Sequence, residues 1–156
     1  MAIFIEGKSV CNLCGKTIDD TIEFSVPSIE IINELDHLNI FIDSTMHQHC
    51  INKDSRKKEL LDLISQWIKN SGPGNRKCLV CSNEVTDPDN YFSIGYLTNN
   101  KESPLYKYNF LHFHKSHLKD WPEKNNFLSL LTNYRSKGLI KGALLDWLIE
   151  DIANQV

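Results

Sequence analysis

Apolar residues recur at helical spacing in three stretches of the chain. Side chains at positions i, i+3, i+4 and i+7 share one face of a helix, so such a stripe predicts an amphipathic helix. In the last stretch the stripe contains Ile140, Leu144, Trp147, Leu148 and Ile152. We predict helices at residues 56–70, 123–136 and 139–153.

Shorter stretches alternate between apolar and polar residues, which is typical of a strand with one buried face. Residues 21–26 alternate in this way through Ile22, Phe24 and Val26, and residues 38–42 are the expected partner strand. We also predict a second hairpin from 91–96 and 105–110, a short strand at 3–5 and a short helical insertion at 28–37.

The chain contains an internal repeat with an offset of 67 positions, first visible in two C-x-x-C pairs. Shifting the chain by this offset without gaps superposes like residues in other places too. We interpret this self-similarity as the duplication of one structural unit. The further matches are His47 on His114, Cys50 on His117, Asp20 on Asp87, Phe24 on Tyr91, Leu38 on Leu105, Phe41 on Tyr108, and 60–67 on 127–134.

Each copy supplies four candidate metal ligands in one order: a C-x-x-C pair, a gap of 32 residues, and a second pair three positions apart. Zinc binds Cys thiolate and His nitrogen tetrahedrally, and sets of three Cys with one His or two of each are common. Residues i and i+3 share a helix face, so the second pair can bind from a first helical turn. We predict two structural zinc ions, one held by Cys11, Cys14, His47 and Cys50, the other by Cys78, Cys81, His114 and His117.

The sequence allows other interpretations of these residues. A single C-x-x-C pair could be a redox motif, but neither pair opens a helix in a βαβ setting. The ligands could be interleaved between the two ions, although a complete set in each copy favours sequential grouping. His49 or His112 could replace a neighbouring ligand. Iron also binds thiolate-rich sites, but the His content favours zinc.

A C-x-x-C turn, a hairpin and a helix carrying the last ligands together resemble the treble-clef zinc finger. The half formed by His47 and Cys50 also resembles the first site of LIM domains. The 27 residues between Cys50 and Cys78 exceed the LIM spacing, and sequential grouping departs from RING fingers. The resemblance implies a small α+β fold, with two tandem zinc-stabilised knuckle–β-hairpin–helix units plus a C-terminal helix. It implies no single function, because this scaffold serves many.

A run of turn-forming residues, Ser-Gly-Pro-Gly-Asn, separates the two copies. A copy of about 70 residues buries a limited core, so we expect metal ligation to supply part of its stability. We predict a zinc-binding repeat at 1–70, a linker at 71–75, a second zinc-binding repeat at 76–137, and at 138–156 a C-terminal helix that packs across the repeats.

Composition and charge narrow the class of protein. The 156 residues are 41% hydrophobic and 24% charged, as in folded chains. No apolar run approaches the roughly 18–20 residues of a membrane span, and the first residues lack the pattern of a secretory signal. All five cysteines fall on the proposed metal sites, so none requires a disulfide. We expect a cytoplasmic protein without a membrane partner.

The same chemistry indicates a binding protein and not an enzyme. Four protein ligands leave tetrahedral zinc no open position, whereas catalytic zinc usually keeps one. We predict a protein–protein interaction module: an adaptor, a regulator or a toxin-neutralising partner. Residues 1–74 hold 7 basic and 11 acidic residues, which suits a basic partner. Candidate anchors are Tyr91, Phe92, Tyr96, Tyr106, Tyr108 and Trp121.

Nucleic-acid binding, mainly through the second repeat, is the alternative. Residues 75–156 hold 10 basic and 9 acidic residues, so they tolerate phosphate better than the first half does. The net charge of −3 argues against a general polyanion binder. The candidate patch consists of Lys107, Lys115, Lys119 and Lys124 with Tyr106, Tyr108 and Trp121.

Overall fold

The computed structural model describes residues 4–19 and 23–154, which form a small mixed α/β structure. Two two-stranded antiparallel sheets contain β1 (Glu23–Ser25) with β2 (Thr45–His47), and β3 (Tyr91–Ile94) with β4 (Leu111–His114). The α-helices are α1 (Gln48–Lys53), α2 (Lys57–Ser71), α3 (Lys124–Ser136) and α4 (Ala143–Asn154). Of the positions used above, Ile3, Asp20, Thr21 and Ile22 lie outside the described residues.

The helices predicted at 56–70 and 123–136 are confirmed as α2 and α3 to within one residue at each end. The longest described helix, α2, has 15 residues. In the described part of the chain, no helix combines the length and the apolar character that crossing a membrane requires.

The chain folds as two units, each with its own internal contacts. The first comprises Met1–Ile29 and His37–Gln66, and the second comprises Glu30–Asp36 and Trp67–Val156. The segment 71–75 therefore falls inside the second unit. The domain boundaries that we derived from the repeat stay a prediction.

A tight turn, the first knuckle (residues 10–17), lies near the start of the first unit. Val10 bridges Thr17, and the Cys11 N–H donates to the Lys16 carbonyl oxygen at 2.9 Å. Gly15 has a φ of +69°, a conformation that glycine adopts without steric cost. The turn therefore reverses the direction of the chain between Cys11 and Lys16.

The β1–β2 hairpin and α1 carry the other two predicted metal ligands of the first unit. Phe24 pairs with Met46, and His47 is both the last residue of β2 and the residue that precedes α1. Cys50 follows in the first turn of α1. The buried apolar residues of this unit include Ile18, Val26, Leu38, Phe41, Met46, Ile51, Leu60 and Leu63.

The strands predicted at 38–42 and 105–110 are wrong. The first segment forms a 3-10 turn at Asn39–Phe41, in which Leu38 and Phe41 are fully buried and Ile40 is 45% exposed. Buried positions three apart indicate a helical turn, whereas a strand would bury alternate positions. The second segment forms the same turn at Tyr106–Tyr108, and the hairpins are completed by β2 and β4 instead.

Residues 30–36 belong to the second unit and form no helix, so the predicted helical insertion is wrong. The Ile32 N–H donates to the Tyr96 carbonyl oxygen at 2.9 Å, and the Tyr96 N–H donates to the Glu30 carbonyl oxygen at 2.7 Å. A Cβ on Gly95 would lie 2.3 Å from that Glu30 oxygen. The segment therefore pairs with the backbone of Tyr96 through a parallel bridge at Ile31, and the close contact at Gly95 requires glycine.

Helices α3 and α4 contact each other within the second unit. Helix α4 begins at Ala143, four residues after the predicted start, because Gly142 directly before it has a φ of +153°, which is outside the helical range. The Ala143 N–H donates to Glu34 Oε1 at 3.0 Å, so Glu34 caps the helix. Trp147, predicted in the buried stripe, is 65% exposed. The core of this unit contains Ile32, Ile94, Leu97, Leu105, Tyr108, Phe113, Leu118, Trp121, Phe127, Leu131, Leu145 and Ile152.

Similar local features recur 67 residues apart in the two units. Helices α2 and α3 begin at Lys57 and Lys124, which differ by this offset. The hairpins depart from the 67-residue offset. The pairing of their strands makes Phe24 the counterpart of Phe92 and not of Tyr91. The second copy therefore has one residue more before its hairpin. Left-handed residues recur as Gly15 with Ser82 and as Asp43 with Phe110.

We expect Gly95→Ala to destabilise the second unit by about 3 kcal/mol, at the upper end of overpacking costs. The added Cβ would meet the Glu30 backbone oxygen at 2.3 Å, which cannot move without losing its bond to Tyr96. Thermal unfolding of the metal-loaded chain measures the effect. Glu84→Ala, an exposed change in the same unit, should change the free energy of unfolding by less than about 0.5 kcal/mol. Equal midpoints for Gly95→Ala and wild type would contradict this packing.

Candidate metal centres

The first cluster joins side chains from two parts of the first unit. Cys11 and Cys14 come from the first knuckle, His47 ends β2, and Cys50 lies in α1. Their four ligand atoms all lie within 4.8 Å of one another. The His47 Nδ1 atom lies 3.4 Å from Cys14 Sγ and 3.8 Å from Cys50 Sγ. The structure thus brings together all four residues predicted for this site.

The second cluster has the same construction in the second unit. Cys78 and Cys81 come from the second knuckle (residues 77–84), a turn closed by a bridge between Lys77 and Glu84. His114 ends β4, and His117 lies in a 3-10 helix, Lys115–Asp120. The four ligand atoms again lie within 4.8 Å of one another. Cys78 Sγ is 3.5 Å from His117 Nδ1, and Cys81 Sγ is 3.6 Å from His114 Nδ1. These four residues are also the predicted set.

The distances within both clusters fit a tetrahedral ion. Zinc–sulfur bonds of about 2.3 Å and zinc–nitrogen bonds of about 2.05 Å place the sulfur and nitrogen ligands about 3.6 Å apart. The four sulfur–nitrogen distances are 3.4, 3.8, 3.5 and 3.6 Å. Each cluster contains residues of one copy only, which is the sequential grouping. Each could therefore hold one metal ion.

Backbone N–H groups surround the first cysteine of each knuckle. Burial alone raises the pKa of the Cys11 thiol, but the N–H groups of His47, Cys14 and Leu13 donate to its sulfur and lower the pKa to about 6. Burial likewise raises the pKa of Cys78, and backbone N–H donors again lower it to about 6. Both residues therefore favour the thiolate at neutral pH, which is the form that binds metals.

Cys50 shows the opposite shift within the first cluster. Desolvation and the neighbouring sulfurs of Cys14 and Cys11 raise the pKa of Cys50 to about 11. Like charges at short range disfavour the ionised form, so Cys50 keeps its proton beside the other two sulfurs. A bound cation reverses this effect, because a coordinating thiol loses its proton. The donor set is therefore suited to a cation.

Two further histidines lie close to the predicted ligands in sequence. His112 is buried: its Nε2–H donates to the Asn70 carbonyl oxygen at 2.9 Å, and the Tyr91 hydroxyl donates to its Nδ1 at 2.9 Å. His112 is thus held in the fold and lies outside the second cluster. His49 lies beside the first cluster, with its Nε2 atom 3.3 Å from Cys50 Sγ.

Glu23 is a residue near the first cluster that the sequence pattern did not single out. It is the cross-strand partner of His47, and cross-strand partners share one face of a sheet. Its Oε2 atom is buried and has no hydrogen-bond partner among the described residues. Only the strand register identifies this neighbour, and neither repeat spacing nor composition provides that register.

Comparison with protein-family models, with curated proteins and with solved structures gives no match for this chain. The functional argument therefore depends on the geometry and chemistry of the two clusters.

Cys14→Ser and Cys81→Ser should each lower the metal content by one ion per chain. Each change removes one of four ligands from a single cluster, so the other cluster should stay loaded. Native mass spectrometry counts the ions in each variant. Leu13→Ser, which alters the same turn without touching a ligand, should retain two ions. Retention of two ions by either cysteine variant would contradict the ligand assignment.

Cobalt should report the different sulfur content of the two sites. The first cluster offers three sulfurs and the second offers two, so thiolate-to-cobalt charge-transfer absorption per ion should differ by about three to two. The absorption of Cys81→Ser loaded with cobalt isolates the first site, and that of Cys14→Ser isolates the second. Equal intensities per ion would refute the assigned ligand sets.

Proposed function

We propose that the chain is a non-catalytic zinc-binding module that binds another protein. The observation that carries the metal assignment is the pair of four-ligand clusters, each with its atoms within 4.8 Å. Thiolate and imidazole are favoured zinc ligands, and the sulfur–nitrogen distances agree with tetrahedral zinc. We assign one structural zinc ion to each cluster.

The two zinc units are tandem treble-clef-like copies in this proposal. Each cluster takes its first pair from a knuckle and its second pair from the junction between a strand and a helical segment. The recurrence of helix starts and left-handed residues at one offset supports a duplicated unit.

The ligand count supports a non-catalytic role for the two ions. Four protein ligands complete a tetrahedral shell, which leaves no position for a water molecule or a substrate. Neither site would then activate water or polarise a carbonyl group, the usual tasks of catalytic zinc. The ions serve instead to hold the fold, and the protein surface performs the function.

The exposed apolar side chains favour a protein partner. Trp147 is 65% exposed and Leu139 is 55% exposed, and tryptophan is enriched among the residues that dominate protein interfaces. Four of the aromatic residues predicted as anchors are instead buried in the second unit: Phe92, Tyr96, Tyr108 and Trp121.

The proposed nucleic-acid patch loses two of its three aromatic side chains to the core in this structure. Tyr108 and Trp121 are 2% and 5% exposed and pack edge to face with ring centroids 5.9 Å apart. Lys107 is paired with Glu123. Base stacking requires exposed aromatic faces, so we prefer the protein-binding proposal.

A reconstituted complex tests the proposal. The metal-loaded chain is used to isolate a partner from nuclease-treated extract, and the purified partner is then titrated with the chain by calorimetry. We expect a direct stoichiometric complex that the Cys14→Ser/Cys81→Ser double variant forms poorly. The same titration is made with DNA and RNA oligonucleotides; binding to these alone, weakening steeply with salt, would contradict a protein-binding role.

A further inference from the structure

Helix α4 presents one exposed face that combines a large aromatic residue with carboxylates. We define the α4 outer face as Ala143, Trp147, Glu150, Asp151 and Asn154, all of which are exposed. The opposite side of the helix is buried in the core of the second unit. The packing of α4 against the core of the second unit therefore leaves this face exposed to solvent.

The carboxylates of this face lie next to the indole. Glu150 and Asp151 follow Trp147 by three and four positions, and residues at these spacings are neighbours on a helix surface. A group placed over the indole would therefore have two carboxylates within reach.

These acidic residues carry an uncompensated charge within the described chain. Helix α4 contains Asp146, Glu150 and Asp151 and no basic residue in its last turn. Asp146 is paired with Arg135 at 2.8 Å, whereas no ion pair of Glu150 or Asp151 occurs among the described residues. Carboxylates near a helix C-terminus oppose the helix dipole, so a cation brought to them would relieve an unfavourable interaction.

We propose that the α4 outer face docks a basic segment of a partner protein. An arginine of that segment stacks on Trp147 and pairs with Glu150 and Asp151, since guanidinium groups favour both indole faces and carboxylates. This rests on the protein-binding function proposed above, and it names the surface and the chemistry of the partner. Phosphate backbones would be repelled by the same carboxylates.

A second copy of this chain is a poorer occupant for the face. A two-fold symmetric contact centred on Glu150 and Asp151 would place like carboxylates against each other, and one centred on Trp147 would leave these carboxylates without basic partners on the α4 outer face. A purely apolar partner would leave Glu150 and Asp151 without counter-charges. Charge complementarity thus selects the basic segment.

The test titrates the metal-loaded chain with a short peptide of alternating arginine and alanine, using calorimetry at fixed salt. Trp147→Ala and the double variant Glu150→Gln/Asp151→Asn should each weaken binding about tenfold or more, as expected for central contact residues. The matched control, Glu84→Gln/Glu102→Gln, changes the charge equally at exposed positions of the same unit and should shift affinity less than about twofold.

Equal losses of peptide affinity in the control and in the α4 variants would overturn the proposal, because binding would then depend on net charge alone. Equal binding of a glutamate–alanine peptide would also overturn it, as would self-association that Trp147→Ala abolishes. Metal content is counted in every sample. A folded chain that contains no metal would refute the zinc assignment. A chain that carries both ions but does not bind the peptide would refute only this docking surface.

Discussion

The convergence of four ligand atoms on one small volume is the constraint on which the first unit depends. Three cysteines and His47 hold these atoms within 4.8 Å of one another, and desolvation together with the neighbouring sulfurs raises the pKa of Cys50 to about 11. A divalent cation would favour the thiolate form of all three cysteines, so the proposed zinc ion would link the knuckle to the β2–α1 junction. The second unit meets the same requirement with two sulfurs and two imidazoles.

The position of each cluster explains how a small unit could be stabilised by a metal. Each site joins a turn near the start of its copy to a strand–helix junction 33 positions later, counted from the second cysteine to the histidine. Apparent binding energies of structural zinc in finger peptides are about 10–16 kcal/mol, which is comparable with the whole stability of many domains. Ligation would therefore stabilise the fold locally and leave the surface free for recognition.

The sequence predicted which cysteine and histidine side chains lie together better than it predicted the strand pairing. The candidate ligands could be identified because Cys and His recur at one offset, and because the chemistry of these side chains restricts the roles that they can have. Strands were harder: Leu38 and Phe41 suggested alternation, but their spacing of three belongs to a 3-10 turn. The Phe24–Met46 register depends on contacts between distant residues, which a local pattern does not contain.

Nonlocal packing also explains the errors at residues 30–36 and at Trp147. The first segment lies beside Tyr96, more than 60 positions away, and this pairing replaces the helix that its apolar residues suggested. Trp147 fitted an apolar stripe, yet the core beneath α4 is filled by Leu145, Leu148 and Ile152. The apolar stripe therefore does not distinguish the buried positions of α4 from the exposed Trp147.

Native mass spectrometry of the gently purified wild-type chain tests the central claim most directly. The account predicts a folded chain that carries two zinc ions, both lost together with the folded charge-state distribution when a strong chelator is added. A folded chain that carries no metal, and keeps the same charge states in chelator, would contradict it.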